Sequence, residues 1–247
     1  MERKFNDLHI YSNLSIGQNS VADIIKTAES LGFSSICIID HIKDKNKDNL
    51  DNLREEILKH KTDLEIYTGV EISTEDPEIM RLQIKRLRDR ADIIIVSGGS
   101  SKINRAAVEN PKVDILAHPE RGRKDSGIDN VMAKLAFENG VAIELNFKFV
   151  LHSYRKVRAH MLSHMRTNII LAKKYKAPIV ITSGAESIFD MRAGRELASL
   201  GALINLELSE ALNAISSIPE DIIIHAKKVK DKNYIMSGVE VVKKEDM

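Results

Sequence analysis

Seven apolar, β-branched runs in this chain stop abruptly at polar or charged residues. They read NDLHIYS at 6–12, SSICIIDH at 34–41, LEIYTGVE at 64–71, DIIIVSGG at 92–99, VDILAHPE at 113–120, VAIELNF at 141–147 and PIVITSGA at 178–185. An eighth, weaker run, ALINLE, spans 202–207. Short runs of this kind, bounded by turn residues, predict buried strands. Between them lie longer stretches with apolar residues three and four apart, the period of an amphipathic helix. Ser20 is placed to cap a helix over 21–31 that Gly32 ends, and Pro77 opens one reaching about residue 91. Further helices are predicted over 46–61, 104–110, 129–139, 190–200 and 209–215. The longest is expected from about 154 to 175, with Val157, Met161, Met165, Ile169 and Ala172 packed on the core.

Strand and helix alternating in this way predict an α/β fold, a single TIM-like (β/α) barrel, and 247 residues suit one such domain. The barrel is expected over 1–218. Beyond Pro219 the pattern decays, and 219–247 reads as a lysine-rich, loosely packed C-terminal tail. In a parallel barrel the working residues stand where strands end. His9, His41, Glu71, His118, Glu144 and Asn146 all fall there.

Composition narrows the class. No apolar run approaches the roughly 18 residues of a membrane span, and MERKFNDLH lacks the apolar centre of a signal peptide. The single cysteine, Cys37, sits inside a strand pattern and reads as a small core residue, so a reducing cytoplasm is expected. Net charge is only +1, which argues against a uniformly cationic nucleic-acid binder. The distribution is uneven, however. From 145 to 185 there is no acid, while Lys148, Arg155, Lys156, Arg158, Arg166, Lys173, Lys174 and Lys176 are all present, with His152, His160 and His164. A solvated helix face normally mixes signs, so a one-sign stretch points to a polyanion. Arg155, Lys156 and Arg158 open the long helix, where backbone N–H groups are already positive, so the helix's own stability does not account for them. Arg105, Arg121, Arg123, Lys124, Arg192 and Arg195 cluster after other strands. Arginine suits bidentate contact with phosphate. With aromatics at 4% and no tryptophan, contact with RNA backbone and shape is expected rather than with splayed bases.

His9, the Asp40–His41 pair, Glu71 and His118 after successive strands resemble the ligand set of the polymerase-and-histidinol-phosphatase (PHP) superfamily of metal-dependent phosphoesterases. Such sites use two or three divalent ions to clamp phosphate and generate hydroxide. This chain departs from that pattern at both ends. Tyr11 stands where the opening pair needs its second histidine, and Gly184 and Glu186 stand where the closing Asp-x-His is expected. His9, His41, Glu71 and His118 are therefore expected to form a polar cluster at the barrel mouth, a degraded metal site that holds no metal. The glycine-rich turn Ser97–Ser100 reads as turn chemistry rather than a phosphate cradle, and no Walker loop, G-x-S-x-G or C-x-x-C occurs.

The ordered stretches Val96–Gly99, Asn104–Glu109, Val113–Pro119, Arg123–Asp129, Ala142–Phe147, Pro178–Ala185, Asp190–Arg192 and Arg195–Leu197 resemble the ribonuclease P protein component 3 family. That resemblance covers about 1–215 and implies a PHP-like barrel that has lost phosphoesterase chemistry. It implies a protein subunit of the ribonucleoprotein that removes the 5′ leader of precursor tRNA, with the RNA as catalyst and this chain alone inactive. Partners implied are the RNA subunit, protein component 2 and the other protein subunits, and precursor tRNA in the holoenzyme. No cofactor is implied on this chain, Mg²⁺ being expected on the RNA. The nine side chains Arg105, Arg121, Arg123, Lys124, Arg155, Lys156, Arg158, Arg192 and Arg195 are the expected RNA contacts. The alternative is an active metal-dependent PHP-type phosphoesterase, which Tyr11, Gly184 and Glu186 disfavour.

Overall fold

A computed structural model describes residues 3–230, 234–236 and 239–240. Seven parallel strands follow one another around a barrel: β1 (Phe5–Tyr11), β2 (Phe33–Lys43), β3 (Glu65–Ser73), β4 (Ile93–Ser97), β5 (Ile115–Ala117), β6 (Ala142–Asn146) and β7 (Ile179–Thr182). Each is one of the seven apolar runs. Helices α1 (Val21–Ser30), α2 (Leu50–Leu58), α3 (Pro77–Leu87), α4 (Ser101–Val108) and α5 (Asn130–Asn139) connect the first six strands. A short α6 (Phe147–Leu151) and the long α7 (Arg155–Tyr175) join β6 to β7. After β7 come α8 (Gly194–Leu203), α9 (Leu208–Asn213) and α10 (Ser217–Val229). Local chemistry sets several boundaries. The Ser20 and Asp129 side chains accept from Asp23 and Met132 N–H and cap α1 and α5, Pro77 opens α3, and Gly140 ends α5 at φ 69°.

The eighth run does not form a strand. Ala202 and Leu203 finish α8, and 204–207 turn into α9. Asn205 interrupts the run, and the hydrogen bonds Ile204 N–H to Leu200 O and Leu206 N–H to Gly201 O fold it back on the helix instead. The seam between β7 and β1 is closed otherwise. Tyr11 N–H donates to Ala185 O at 2.9 Å, and Asn6 and Ile181 N–H reach Ile215 O and Ala214 O at 3.0 and 2.9 Å. Midway along the seam the buried Asp7 carboxylate accepts from Ser183 N–H, doing the work of a missing strand's carbonyl. Burial pushes that carboxyl up to about 6 despite the Ser183 hydrogen bonds.

The proposed tail begins differently from expectation. Residues 219–229 belong to α10, whose Ile222, Ile223 and Ala226 join Leu8, Cys37, Ile39, Ile93 and Ile115 in the cluster that fills the barrel interior. The helix plugs the N-terminal end of the barrel with one apolar stripe. Its lysines lie on the other faces: Lys227 sits 5.2 Å from the Tyr67 ring centroid and Lys230 pairs with Asp92 at 3.1 Å. That mixture of a narrow stripe and many lysines is why the segment reads as a tail in sequence. Past Lys230 the described residues form only the two short strands Tyr234–Met236 and Val239–Glu240, and the rest of the 219–247 segment lies outside the described residues. Among the described residues no helix is long and apolar enough to cross a membrane. Cys37 is fully buried in the barrel.

Candidate functional site

The strand ends bring His9, Tyr11, His41, Glu71, His118 and Glu144 into one buried network. His9 Nδ1 lies 2.6 Å from Glu144 Oε1, and its Nε2 lies 2.6 Å from the Tyr11 hydroxyl. That hydroxyl donates to Glu71 Oε2 at 2.6 Å, and Glu71 also meets His41 Nδ1 at 2.6 Å and His118 Nε2 at 3.0 Å. Glu144 further accepts from Thr182 Oγ at 2.6 Å and from His118 N–H at 3.2 Å. His118 holds a left-handed backbone, φ 34°, that turns this N–H inward.

The protonation pattern follows from counting hydrogens. Tyr11 has one, and it goes to the carboxylate of Glu71. His9 Nε2 must then donate to the Tyr11 oxygen while Nδ1 donates to Glu144, so His9 is an imidazolium. Burial opposes that charge, but Glu144 outweighs it and raises the His9 pKa. Burial likewise opposes ionisation of Glu71 and Glu144. Hydrogen bonds from His118 and His41 still hold Glu71 well below the carboxylate range, and His9 does the same for Glu144 to a lesser degree. Desolvation lowers His118 despite Glu71 and leaves it neutral at neutral pH.

This donor set does not fit divalent ions. A metal would need to lie about 2.0–2.2 Å from His and carboxylate ligands. The Tyr11 oxygen already bridges His9 Nε2 and Glu71 Oε2, filling that position. Internal N–H and O–H donors occupy both carboxylates, and among the described residues no group of three or more His, Cys, Asp or Glu is arranged to hold an ion. At the closing position Gly184 adopts φ 60°, and a Cβ there would come within 2.3 Å of the Asn146 amide, so no ligand side chain has room. Glu186 points to Lys148 instead, at 2.7 Å, and the Lys148 ammonium lies 5.4 Å from the Tyr11 ring centroid.

The basic residues surround this mouth. The loop after β5, carrying Arg121, Arg123 and Lys124, is pinned by buried Asn104, whose amide donates to Pro119 O at 2.9 Å and Gly127 O at 2.8 Å. Gly127 is required there: its φ is 78°, and a Cβ would approach Pro119 O to 2.0 Å. The glycine-rich turn is satisfied internally, with Gly98 O accepting from Arg121 at 3.2 Å and Gly99 O from Arg123 at 3.1 Å. Arg123 is bidentate to Asp125 at 2.6 and 2.9 Å, and Arg105 pairs with Glu109 one turn on. Arg121, Lys124, Arg155, Lys156, Arg158, Arg192 and Arg195 have no acidic partner among the described residues. Arg158 has a structural role that sequence reasoning missed: it donates to Ser153 O at 2.8 Å and Leu151 O at 3.3 Å, closing off the end of α6. Arg192 donates to Phe189 O and Met191 O at 2.7 Å.

The stripe on α7 is buried only in its second half. Met165, Ile169 and Ala172 are fully buried, whereas Val157 is 62% exposed. Beneath the β5 loop, Glu120 is buried beside Asn168, and desolvation pushes its carboxyl up to about 8. The sign is therefore that of a group protonated in the fold at neutral pH. Its stabilising effect is complete below the ordinary value of 4.5 and is lost as pH rises through about 8. Glu120→Gln is expected to raise the melting temperature by several degrees at pH above 8, with little change near pH 4. Thermal unfolding scans across that range check it, and an equal shift at both ends would contradict the assignment.

The model of the family described as RNase P subunit p30 matches residues 4–231. The chain belongs to this family. Ribonuclease P protein component 3 of Methanosarcina acetivorans is 38% identical over 244 residues, 99% of this chain and 98% of that protein. Its namesake from Methanocaldococcus jannaschii is 38% identical over 228 residues, 90% of this chain and 94% of that protein. Among solved structures, a chain of an archaeal ribonuclease P, determined by electron cryo-microscopy with mature tRNA, superposes with a TM-score of 0.76 at 32% identity, covering 97% of this chain and 99% of that one. The zinc-bound histidinol phosphate phosphatase of Lactococcus lactis superposes at 0.55 with 13% identity, covering 90% and 94%. The latter likeness is one of fold alone.

Proposed function

We propose that this chain is the component 3 subunit of a ribonuclease P, binding and stabilising the RNA that removes the 5′ leader of precursor tRNA, and contributing no catalytic group. One observation carries the reading within this family: the metal-ligand positions at the mouth are saturated by one another, while cations without acidic partners rim the same end of the barrel. The nine basic side chains then face RNA phosphates, with Arg105 and Arg123 exchanging exposed acidic partners that are worth little in water. Partners in this reading are the catalytic half of the RNA, protein component 2 and the other protein subunits, in the cytoplasm, with Mg²⁺ held by RNA. The alternative phosphoesterase reading is disfavoured by the bridging Tyr11 oxygen and by Gly184.

Phosphate contacts release counterions, so each lost contact should reduce the slope of log affinity against log salt by roughly one unit. Arg121→Ala with Lys124→Ala is expected to weaken binding to the RNA subunit and flatten that slope by about two units. Both side chains are exposed and only Arg121 makes a structural contact among the described residues, a 3.2 Å bond to Gly98 O, so the melting temperature should move little. An unchanged slope would place this rim against something other than phosphate.

A further inference from the structure

Two cavities adjoin at the barrel mouth, and the first half of α7 walls both. One, of 530 Å³, is lined by Arg121, Lys148, Phe149 and His152. The other, of 360 Å³, is lined by Lys124, His160 and His164. Gly122, Val157 and Met161 border both, so they form one groove between α7 and the loop after β5. Its size lies in the range of small-molecule sites, roughly 300–1,000 Å³.

The groove has a cationic rim and an apolar floor. The exposed Val157 and the partly buried Met161 continue the buried stripe of α7 toward the mouth. Phe149 adds a half-buried ring, its other side held edge-on by His118 with ring centroids 4.8 Å apart. Glu186 pairs with Lys148, Asp125 pairs with Arg123, and the Glu120 carboxyl is buried beside Asn168. A protein partner would have to be acidic throughout to match such a rim, whereas a nucleotide has the complementary chemistry built in, a flat apolar ring joined to anionic phosphates.

We infer that this groove takes one unpaired nucleotide of an RNA strand, its base against Val157, Met161 and Phe149 and its flanking phosphates toward Arg121, Lys124 and the α7 histidines. The inference rests on the RNA-subunit reading and deepens it, because low aromatic content alone suggests backbone contact only. The two basic clusters that look separate in sequence thereby serve one strand. A duplex does not enter, since its bases are stacked away inside the helix.

The test compares Val157→Ser combined with Met161→Ala against the unmodified full chain, using a single-stranded oligoribonucleotide of roughly ten residues and an RNA duplex of about 16 base pairs. Single-strand affinity is expected to fall about tenfold with an unchanged salt slope, and duplex binding is expected to stay the same. Arg121→Ala with Lys124→Ala should weaken both ligands and flatten both slopes. Equal single-strand affinity in the Val157/Met161 variant overturns the nucleotide site, as does intact RNA binding with lost binding to the component 2 protein. If the arginine and lysine changes are silent too, it is the RNA-subunit reading that fails.

Discussion

Glu71→Gln is expected to destabilise the barrel by about 3–5 kcal/mol at pH 7, because it removes the buried carboxylate on which a hydrogen-bonded network converges. Glu71 accepts from Tyr11, His41 and His118 together. A glutamine offers one acceptor oxygen and turns the other position into a donor, so at least one of those N–H or O–H groups is left facing another. The His9 imidazolium also loses a neighbouring negative charge that helps raise its pKa. The pH dependence has a definite sign. Glu71 and Glu144 titrate below the ordinary carboxylate value of 4.5 in the fold, so their stabilisation is present above that value and is lost as pH falls through their lowered pKa. His118, lowered from 6.5, also costs stability as pH falls below that value, whereas His9, raised from 6.5, contributes fully below it and fades as pH rises. The deficit of Glu71→Gln should therefore narrow as acid protonates Glu71 in the unmodified chain. Urea unfolding at pH 7 and in the acid range measures it. A deficit that is under about 1 kcal/mol at pH 7, or equal at both pH values, would contradict the network.

Arg88→Leu is expected to cost a similar 3–5 kcal/mol at the opposite end of the barrel. Arg88 is 2% exposed and donates to Asp114 Oδ2 at 2.6 Å, to Asp92 O at 2.8 Å and to Lys112 O at 3.2 Å. The same Asp114 oxygen accepts Ile94 N–H at 2.6 Å, which ties α3, β4 and the start of β5 together. Leucine leaves a buried carboxylate and the carbonyls of Ala91, Asp92 and Lys112 without their cation. Adding Asp114→Asn removes the stranded charge and should recover a large part of the loss, so the two changes are strongly non-additive. Chemical denaturation of the single and double variants checks this. Additive losses would show that the pair does not act as a unit. RNA affinity of the folded single variant should be unaffected, since neither residue reaches the mouth.

Much of this was legible in the chain. Strands buried on both faces leave near-continuous apolar runs, and all seven were visible for that reason. So were the cap at Ser20 and the opening of a helix at Pro77, whereas Asp129, read as the first residue of its helix, is the residue that caps it. The false strand at 202–207 and the missed α10 share a cause: a short apolar run has no period of its own, and its state is decided by what it packs against. The positions of His9, His41, Glu71 and His118 at one mouth followed from strand order. The role of Tyr11 did not. In sequence it is an absent ligand, whereas in the fold its hydroxyl is the bridge that makes the site self-sufficient. Glu120 and Phe149 were hidden because their surroundings depend on how α7 lies over the β5 loop, and His160 and His164 were visible only as members of the acid-free stretch. The four-residue spacing of His160 and His164 was the available hint that both share a helix face.

Reconstituted cleavage of precursor tRNA tests the central claim most directly. The RNA subunit and the remaining protein subunits are assembled with and without this chain, and 5′ leader removal is followed at moderate salt and fixed Mg²⁺. The account predicts that omission reduces cleavage to a small fraction, that Glu144→Gln chains which still fold restore it, and that this chain alone cleaves neither precursor tRNA nor a simple phosphodiester with Mn²⁺ or Zn²⁺. Cleavage indifferent to omission, or metal-dependent hydrolysis by the isolated chain that His9→Ala abolishes, would contradict it.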